Sequence, residues 1–102
     1  MWILTTSEDY VEQAGLFTFR VTAGSVKTIG RATGADFIVD EALVSRVHCR
    51  VAVNATGDLD VTDLQSTNGT FVNGTRVTTA RLVPGDRLKV GRVELIALKD
   101  QE

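Results

Sequence analysis

Along residues 16–22 the side chains alternate, with Phe17, Phe19 and Val21 on one face of an extended chain and Thr18, Arg20 and Thr22 on the other. Cys49, Val51 and Val53 repeat the pattern. Such alternation marks strands with one buried face and one wet face. Further short runs rich in Val, Thr, Ile and Phe lie at 2–5, 25–29, 37–39, 59–62, 71–72, 76–78, 87–90 and 93–98, separated by Gly, Asn, Asp or the single Pro84. No window carries the i, i+3, i+4, i+7 stripe of an amphipathic helix. The pattern predicts about ten short strands and an all-β chain.

The punctuation between the runs is that of hairpins. Residues 54–58 join two strands, Pro84-Gly85-Asp86 is a β-turn signal, and Gly91-Arg92 suits a two-residue hairpin with glycine at the positive-φ position. Asn73-Gly74 is the type I′ signal between Phe71-Val72 and Thr75–Val77. Hairpin links imply antiparallel neighbours. Many short antiparallel strands at this spacing predict an antiparallel β-sandwich, in which binding chemistry falls to loops gathered at one end of a rigid scaffold.

Composition narrows the function. The 102 residues form a single domain, 1–102, and no run approaches the ~20 apolar residues of a membrane-spanning helix, so the chain reads as soluble. The opening MWILTTSEDY has no basic segment ahead of its apolar residues and does not read as a secretory signal. The expected location is the cytoplasm, or the nucleus if the source is eukaryotic. One cysteine, Cys49, cannot close an internal disulfide, and with the single His48 it makes no metal site of the usual spacing. Cys49 reads instead as a small core residue, and neither metal nor cofactor is expected. A net charge of -2 argues against a nucleic-acid binder, whose phosphate contacts normally give a basic domain. Any anion would have to be held by local geometry.

Three stretches depart from the strand pattern: IGRATGAD at 29–36, VSRVHC at 44–49 and DLQSTNGTFVNG at 63–74. Together they supply two guanidinium groups (Arg31, Arg46), two hydroxyls (Ser45, Thr67) and an amide (Asn68). This donor set suits an oxyanion with several acceptor oxygens, because a phosphate takes a forked pair from arginine while hydroxyl and amide donors fill its remaining lone pairs. Asp63 is expected to brace the loop that follows it.

The ordered series Gly30-Arg31, Ser45 to His48, Ser66 to Thr70 and Asn73-Gly74 resembles the forkhead-associated (FHA) domain, over roughly residues 26–98. The closing Pro-Gly-Asp and Val-Gly at 84–91 fit as well. The resemblance implies an eleven-stranded β-sandwich that binds phosphothreonine peptides through loops at one end, downstream of a Ser/Thr kinase. By the same resemblance Arg31 and Ser45 would contact the phosphate, Arg46 would assist, Thr67 would line the site and Asn68 would bind the peptide backbone. Gly30, His48 and Gly69 would support the site. Many members carry Asn where Arg46 stands. The family commonly reads the third peptide residue after the phosphothreonine, and the loop at 40–44 offers Leu43 with two carboxylates and no cation, which favours an aliphatic residue there over an acidic one.

Other readings of the same residues fit less well. Ser45 with His48 could pair as nucleophile and base, but residues three apart on a strand face opposite ways, and no G-x-S-x-G elbow frames the serine. No enzyme is expected. His48 is expected to bond loop backbone, holding the Ser45 and Asn68 loops together. Gly30 and Gly34 lack the GK[ST] ending of a nucleotide-binding loop. Asn54, Asn68 and Asn73 each begin an N-glycosylation acceptor, which matters only in a secreted protein. An FHA-like module that docks on a protein surface without phosphate is the alternative to a phosphothreonine reader, and the intact Arg31, Ser45, Thr67 and Asn68 set favours the reader.

Overall fold

The computed structural model describes residues 1–11 and 15–100. Eleven strands form two sheets: β1 (Trp2–Thr6), β2 (Thr18–Val21), β3 (Val26–Gly30), β4 (Phe37–Ile38), β5 (Cys49–Val53), β6 (Leu59–Asp63), β7 (Thr70–Val72), β8 (Thr75–Val77), β9 (Thr79–Leu82), β10 (Arg87–Val90) and β11 (Val93–Lys99). A short 3-10 helix, Glu8–Tyr10, follows β1. The six-stranded sheet runs β2-β1-β11-β10-β7-β8 and the five-stranded sheet β4-β3-β5-β6-β9. No helix among the described residues is long and apolar enough to cross a membrane.

The alternation read from the sequence sets which face is buried. On β5 Cys49, Val51 and Val53 point inward while Arg50 is exposed, and on β11 Val93, Leu95 and Ala97 are fully buried. These side chains meet Leu4, Val21, Ile29, Leu59, Val61, Leu82 and Leu88 in one core between the sheets, and each large one contributes about 1.5–3 kcal/mol by leaving water. At one open side, Phe19 of the edge strand β2 stacks on Phe37 of the edge strand β4, with ring centroids 4.5 Å apart, and closes the sandwich. Cys49 is buried as expected, and burial pushes its thiol up to about 12, so it carries no reactive thiolate.

Two features go beyond the hairpin pattern. The strand β9 is not marked by the sequence: β8 belongs to one sheet and β9 to the other, with Thr78 alone between them. One pairing, β3 with β4, is parallel and only two residues long, Ile29 opposite Phe37 and Gly30 opposite Ile38. The six-residue link at 31–36 suffices because so short a pair requires the chain to return only about 7 Å.

The hairpins carry the expected turns. Asn73 (φ 51°) and Gly74 (φ 82°) close β7 onto β8 with Val72 opposite Thr75, the two positive φ values of a type I′ turn. Gly91 (φ 56°) serves the β10–β11 turn. Strands β3 and β5 fix the polarity of the sandwich. The C-terminal end of β3, the N-terminal end of β5 and the C-terminal end of β6 all lie at one end, where Ile29 faces Cys49 and Cys49 faces Asp63.

Candidate functional site

Three loops meet at that end: 31–36 after β3, 39–48 before β5, and 64–69 between β6 and β7. Their approach depends on an absent side chain. A Cβ on Gly30 would overlap the carbonyl of Arg46 and lie 3.0 Å from the Cα of Val47, so only glycine lets the first two loops touch. Backbone bonds then zip them together: Arg31 N–H donates to Ser45 C=O at 3.0 Å and Ala32 N–H to Arg46 C=O at 3.1 Å.

The fully buried His48 joins the second loop to the third. Its Nδ1 accepts the Ser45 amide at 3.0 Å, which leaves the proton on Nε2 to donate to the carbonyl of Gly69 at 2.8 Å. Through these two bonds the ring ties the backbone of the second loop to that of the third. Residues 45–48 form a loop rather than a strand, since β5 starts only at Cys49. The ring meets the Ser45 amide instead of its hydroxyl, and with both nitrogens engaged by backbone it does not serve the hydroxyl as a base.

Asp63 braces the third loop from below. Its Oδ1 accepts the hydroxyls of Ser66 (2.6 Å) and Thr70 (2.7 Å), and its Oδ2 accepts the Ser66 amide (3.2 Å). The Ser66 hydroxyl in turn accepts the Gly69 amide at 3.0 Å. Burial pushes the Asp63 carboxyl up, but the bonds from Ser66 and Thr70 outweigh it and hold the group below its ordinary value of 3.8. Gly69 sits at φ 92°, where a Cβ would lie 2.8 Å from Nε of Arg76.

On this frame the loops carry the five candidate donors, and hydrogen bonds tie Arg31, Ser45, Thr67 and Asn68 into one rim. Arg31 is exposed and donates its Nε to Val44 C=O at 3.0 Å, which steadies the guanidinium while its two terminal nitrogens keep no partner among the described residues. The Ser45 hydroxyl accepts the Thr67 amide at 3.0 Å, so its own proton remains available to donate. Asn68 donates Nδ2 to Leu43 C=O at 2.9 Å and keeps its side-chain carbonyl without a partner among the described residues. Thr67 and Arg46 are exposed.

Sequence reasoning missed the groups that orient these side chains. The carbonyls of Leu43 and Val44 hold Asn68 and Arg31, and main-chain acceptors leave no mark in a sequence. Ser66 and Thr70 belong to the quoted motif, yet their role as partners of Asp63 depends on a loop conformation that includes Gln65 at φ 58°. The loop at 40–44 also differs from its reading by charge. Both oxygens of Glu41 are turned to backbone, one accepting Arg92 N–H at 2.7 Å and the other Leu43 N–H at 3.2 Å.

Comparison with known proteins gives these loops a family. The profile of the FHA domain matches residues 27–91. An ABC transporter ATP-binding/permease protein of Mycobacterium tuberculosis is 39% identical over 93 residues, 91% of this chain and 10% of that protein. The glycogen accumulation regulator GarA of Mycolicibacterium smegmatis is 36% identical over 69 residues, 68% of this chain and 43% of its own length. The chain therefore spans from a tenth to under half of these curated relatives. The crystal structure of the FhaA FHA domain complexed with the intracellular domain of a partner superposes with a TM-score of 0.81 at 30% identity, covering 95% of this chain and 99% of that one. A domain solved for a study of phosphothreonine-dependent FHA domain interactions gives 0.80 at 27% identity, with complete coverage of both chains. By profile, relatives and fold alike, this chain belongs to the FHA domain family.

Proposed function

We propose that this chain reads phosphothreonine in a partner protein or in another segment of its own parent chain, as a binding module without catalytic activity of its own. The observation that carries the reading is the rim of donors whose remaining valences all point to an anion: the terminal nitrogens of Arg31, the proton of Ser45 and the exposed Arg46. Arg31 and Ser45 contact the phosphate, Arg46 assists, Thr67 lines the site, and Asn68 offers its carbonyl to a peptide amide. Gly30, His48 and Gly69 keep the three loops at the spacing this requires. A Ser/Thr kinase supplies the mark, and we place reader and kinase together in the cytoplasm. Support comes also from a structural neighbour solved in a study of phosphothreonine-dependent FHA domain interactions and from a relative named as a regulator.

Calorimetric titration with a phosphothreonine peptide and its unphosphorylated twin tests the reading. Arg31→Ala should lower affinity about 100-fold or more while the fold survives, since a charge-assisted fork is lost from an exposed side chain. Wild-type affinity in that variant, or equal affinity for the unphosphorylated twin, overturns the assignment. A phosphoserine peptide should bind several-fold more weakly, one buried methyl being worth about 0.8 kcal/mol.

A further inference from the structure

Beside the rim, the outer face of the six-stranded sheet carries a row of cations that the donor set does not use. Leu88 and Val90 point into the core, so Arg87 and Lys89 of β10 point out. The cross-strand pairs Lys89–Phe71 and Phe71–Arg76 continue the row toward Gly69, and Arg92 follows in the β10–β11 turn. Two hollows lie along it. One, of about 370 Å³, runs from Asn68 past Leu43, Phe71, Gly74 and Gly91 to Lys89. The other, of about 580 Å³, is lined by Asp9, Tyr10, Arg87, Lys89, Arg92 and Glu94. Lys89 belongs to both, so they form one path that starts at the candidate site.

The charges along this path do not cancel. Glu94 is taken by Arg87 at 2.8 Å, and Glu41 is turned to backbone as described. Lys89 lies over the Tyr10 ring at 5.4 Å. Among the described residues neither Lys89, Arg92 nor Arg76 forms an ion pair; against these three and Arg87 stand the carboxylates of Asp9, Glu94 and Glu41, which leaves the cations in excess by one. The whole chain is at -2, so this cationic face is local.

We propose that this face takes an acidic stretch of the same phosphopeptide, its Asp or Glu side chains meeting Lys89 and Arg92 while the phosphothreonine sits among Arg31, Ser45 and Asn68. The inference rests on the phosphothreonine reading, which supplies the tether. Exposed ion pairs are individually weak, but a peptide already held at one end presents its carboxylates at high effective concentration. Phe71, the partner of Lys89, lies three residues beyond Asn68, on the order of 10 Å, which an extended peptide covers in about three residues. Carboxylates from about the fourth residue onward therefore reach Lys89.

Fluorescence anisotropy with three phosphothreonine peptides tests this: one with Gln on both flanks, one with four Glu from the fourth residue after the phosphothreonine, and one with four Glu at the matching distance before it. One acidic peptide should bind wild type about three- to tenfold more tightly than the neutral one at low salt, and high salt should erase the gain. The gain should also vanish in Lys89→Ala with Arg92→Ala, while the neutral peptide stays within about twofold. Lys89→Glu with Arg92→Glu should turn the preference toward Lys-flanked peptides, provided its melting curve remains cooperative. No gain from either acidic flank, or a gain that survives the double alanine variant, overturns the proposal. If the neutral phosphopeptide fails to bind wild type, the phosphothreonine reading falls first and this inference with it.

Discussion

Asn68-Gly69 and Asn73-Gly74 are the same dipeptide five residues apart, and the protein spends them in opposite ways. At the second, both ends of the Asn73 side chain are consumed inside the molecule: Nδ2 donates to Asp86 at 3.0 Å and Oδ1 accepts the Arg87 amide at 2.9 Å. At the first, Asn68 secures only its nitrogen, to Leu43, and keeps its carbonyl for something else. The glycines differ too. Gly74 has nothing within 4 Å of where a Cβ would be, whereas Gly69 is crowded by Arg76. A turn that serves only stability closes its own hydrogen bonds. A turn that serves binding leaves one open and is held from outside.

Between the two turns, the largest expected effect separates the asparagines. Asn68→Ala should weaken the phosphothreonine peptide about 10- to 100-fold with little change in melting temperature, the cost of an unmet peptide amide being about 1–3 kcal/mol. Asn73→Ala should do the reverse, leaving affinity unchanged while lowering stability by about 1–2 kcal/mol. At 4–8 °C per kcal/mol that is easily read by calorimetry. A loss of affinity in both variants would erase the distinction.

Next come the glycines. Gly74→Ala meets only its positive φ and should cost about 1 kcal/mol, while Gly69→Ala adds the collision with Arg76 and should cost more. Arg76→Ala should recover part of the Gly69→Ala loss and none of the Gly74→Ala loss in thermal melts.

The pH response should single out the loop that bears Asn68. The folded-state carboxyl of Asp63 lies below its ordinary 3.8, so its stabilisation is complete above that value and fades as pH falls through the lowered one. Asp63→Asn should be less stable than wild type at neutral pH, and the gap should narrow toward pH 2. A constant gap across an acid titration would mean that the hydrogen bonds, and not the charge, carry the effect. The smallest effect concerns Leu43, whose backbone holds Asn68 and whose side chain lines the adjoining hollow. An aliphatic third residue after the phosphothreonine should be favoured a few-fold over Asp or Glu in a peptide library, and Leu43→Ser should flatten that preference.

Much of this comparison was legible from residue types. The alternation of Phe17, Phe19 and Val21, or of Cys49, Val51 and Val53, reports a buried face directly, and Asn73-Gly74 reports its turn because few other pairs tolerate two positive φ values. The strand Thr79–Leu82 escaped because TARL carries one buried apolar side chain, Leu82, and a change of sheet at Thr78 leaves the alternation unbroken. The loop 45–48 was legible as a break in the strand pattern, but not its fold, in which the Ser45 amide turns to the His48 ring instead of a neighbouring strand. The row of Arg76, Lys89 and Arg92 was invisible for another reason. Arg76 comes from the β7–β8 hairpin and Lys89 with Arg92 from the β10–β11 hairpin, and the two sets become neighbours only through the pairing of β7 with β10.

The pairing of β1 with β11 places the two ends of the described chain side by side, Met1 and Asp100 exchanging bonds at 3.2 and 2.8 Å. Both lie near Gly57, whose carbonyl holds the Trp2 indole at 2.8 Å, at the pole of the sandwich away from the three loops. Fusion partners or surface anchors attached at either end would therefore leave from a common stalk and keep clear of the rim. A short linker between the ends would close the chain into a ring without reshaping it, which makes the fold a natural candidate for circular permutation, with the new ends opened at another turn, such as the exposed 83–85.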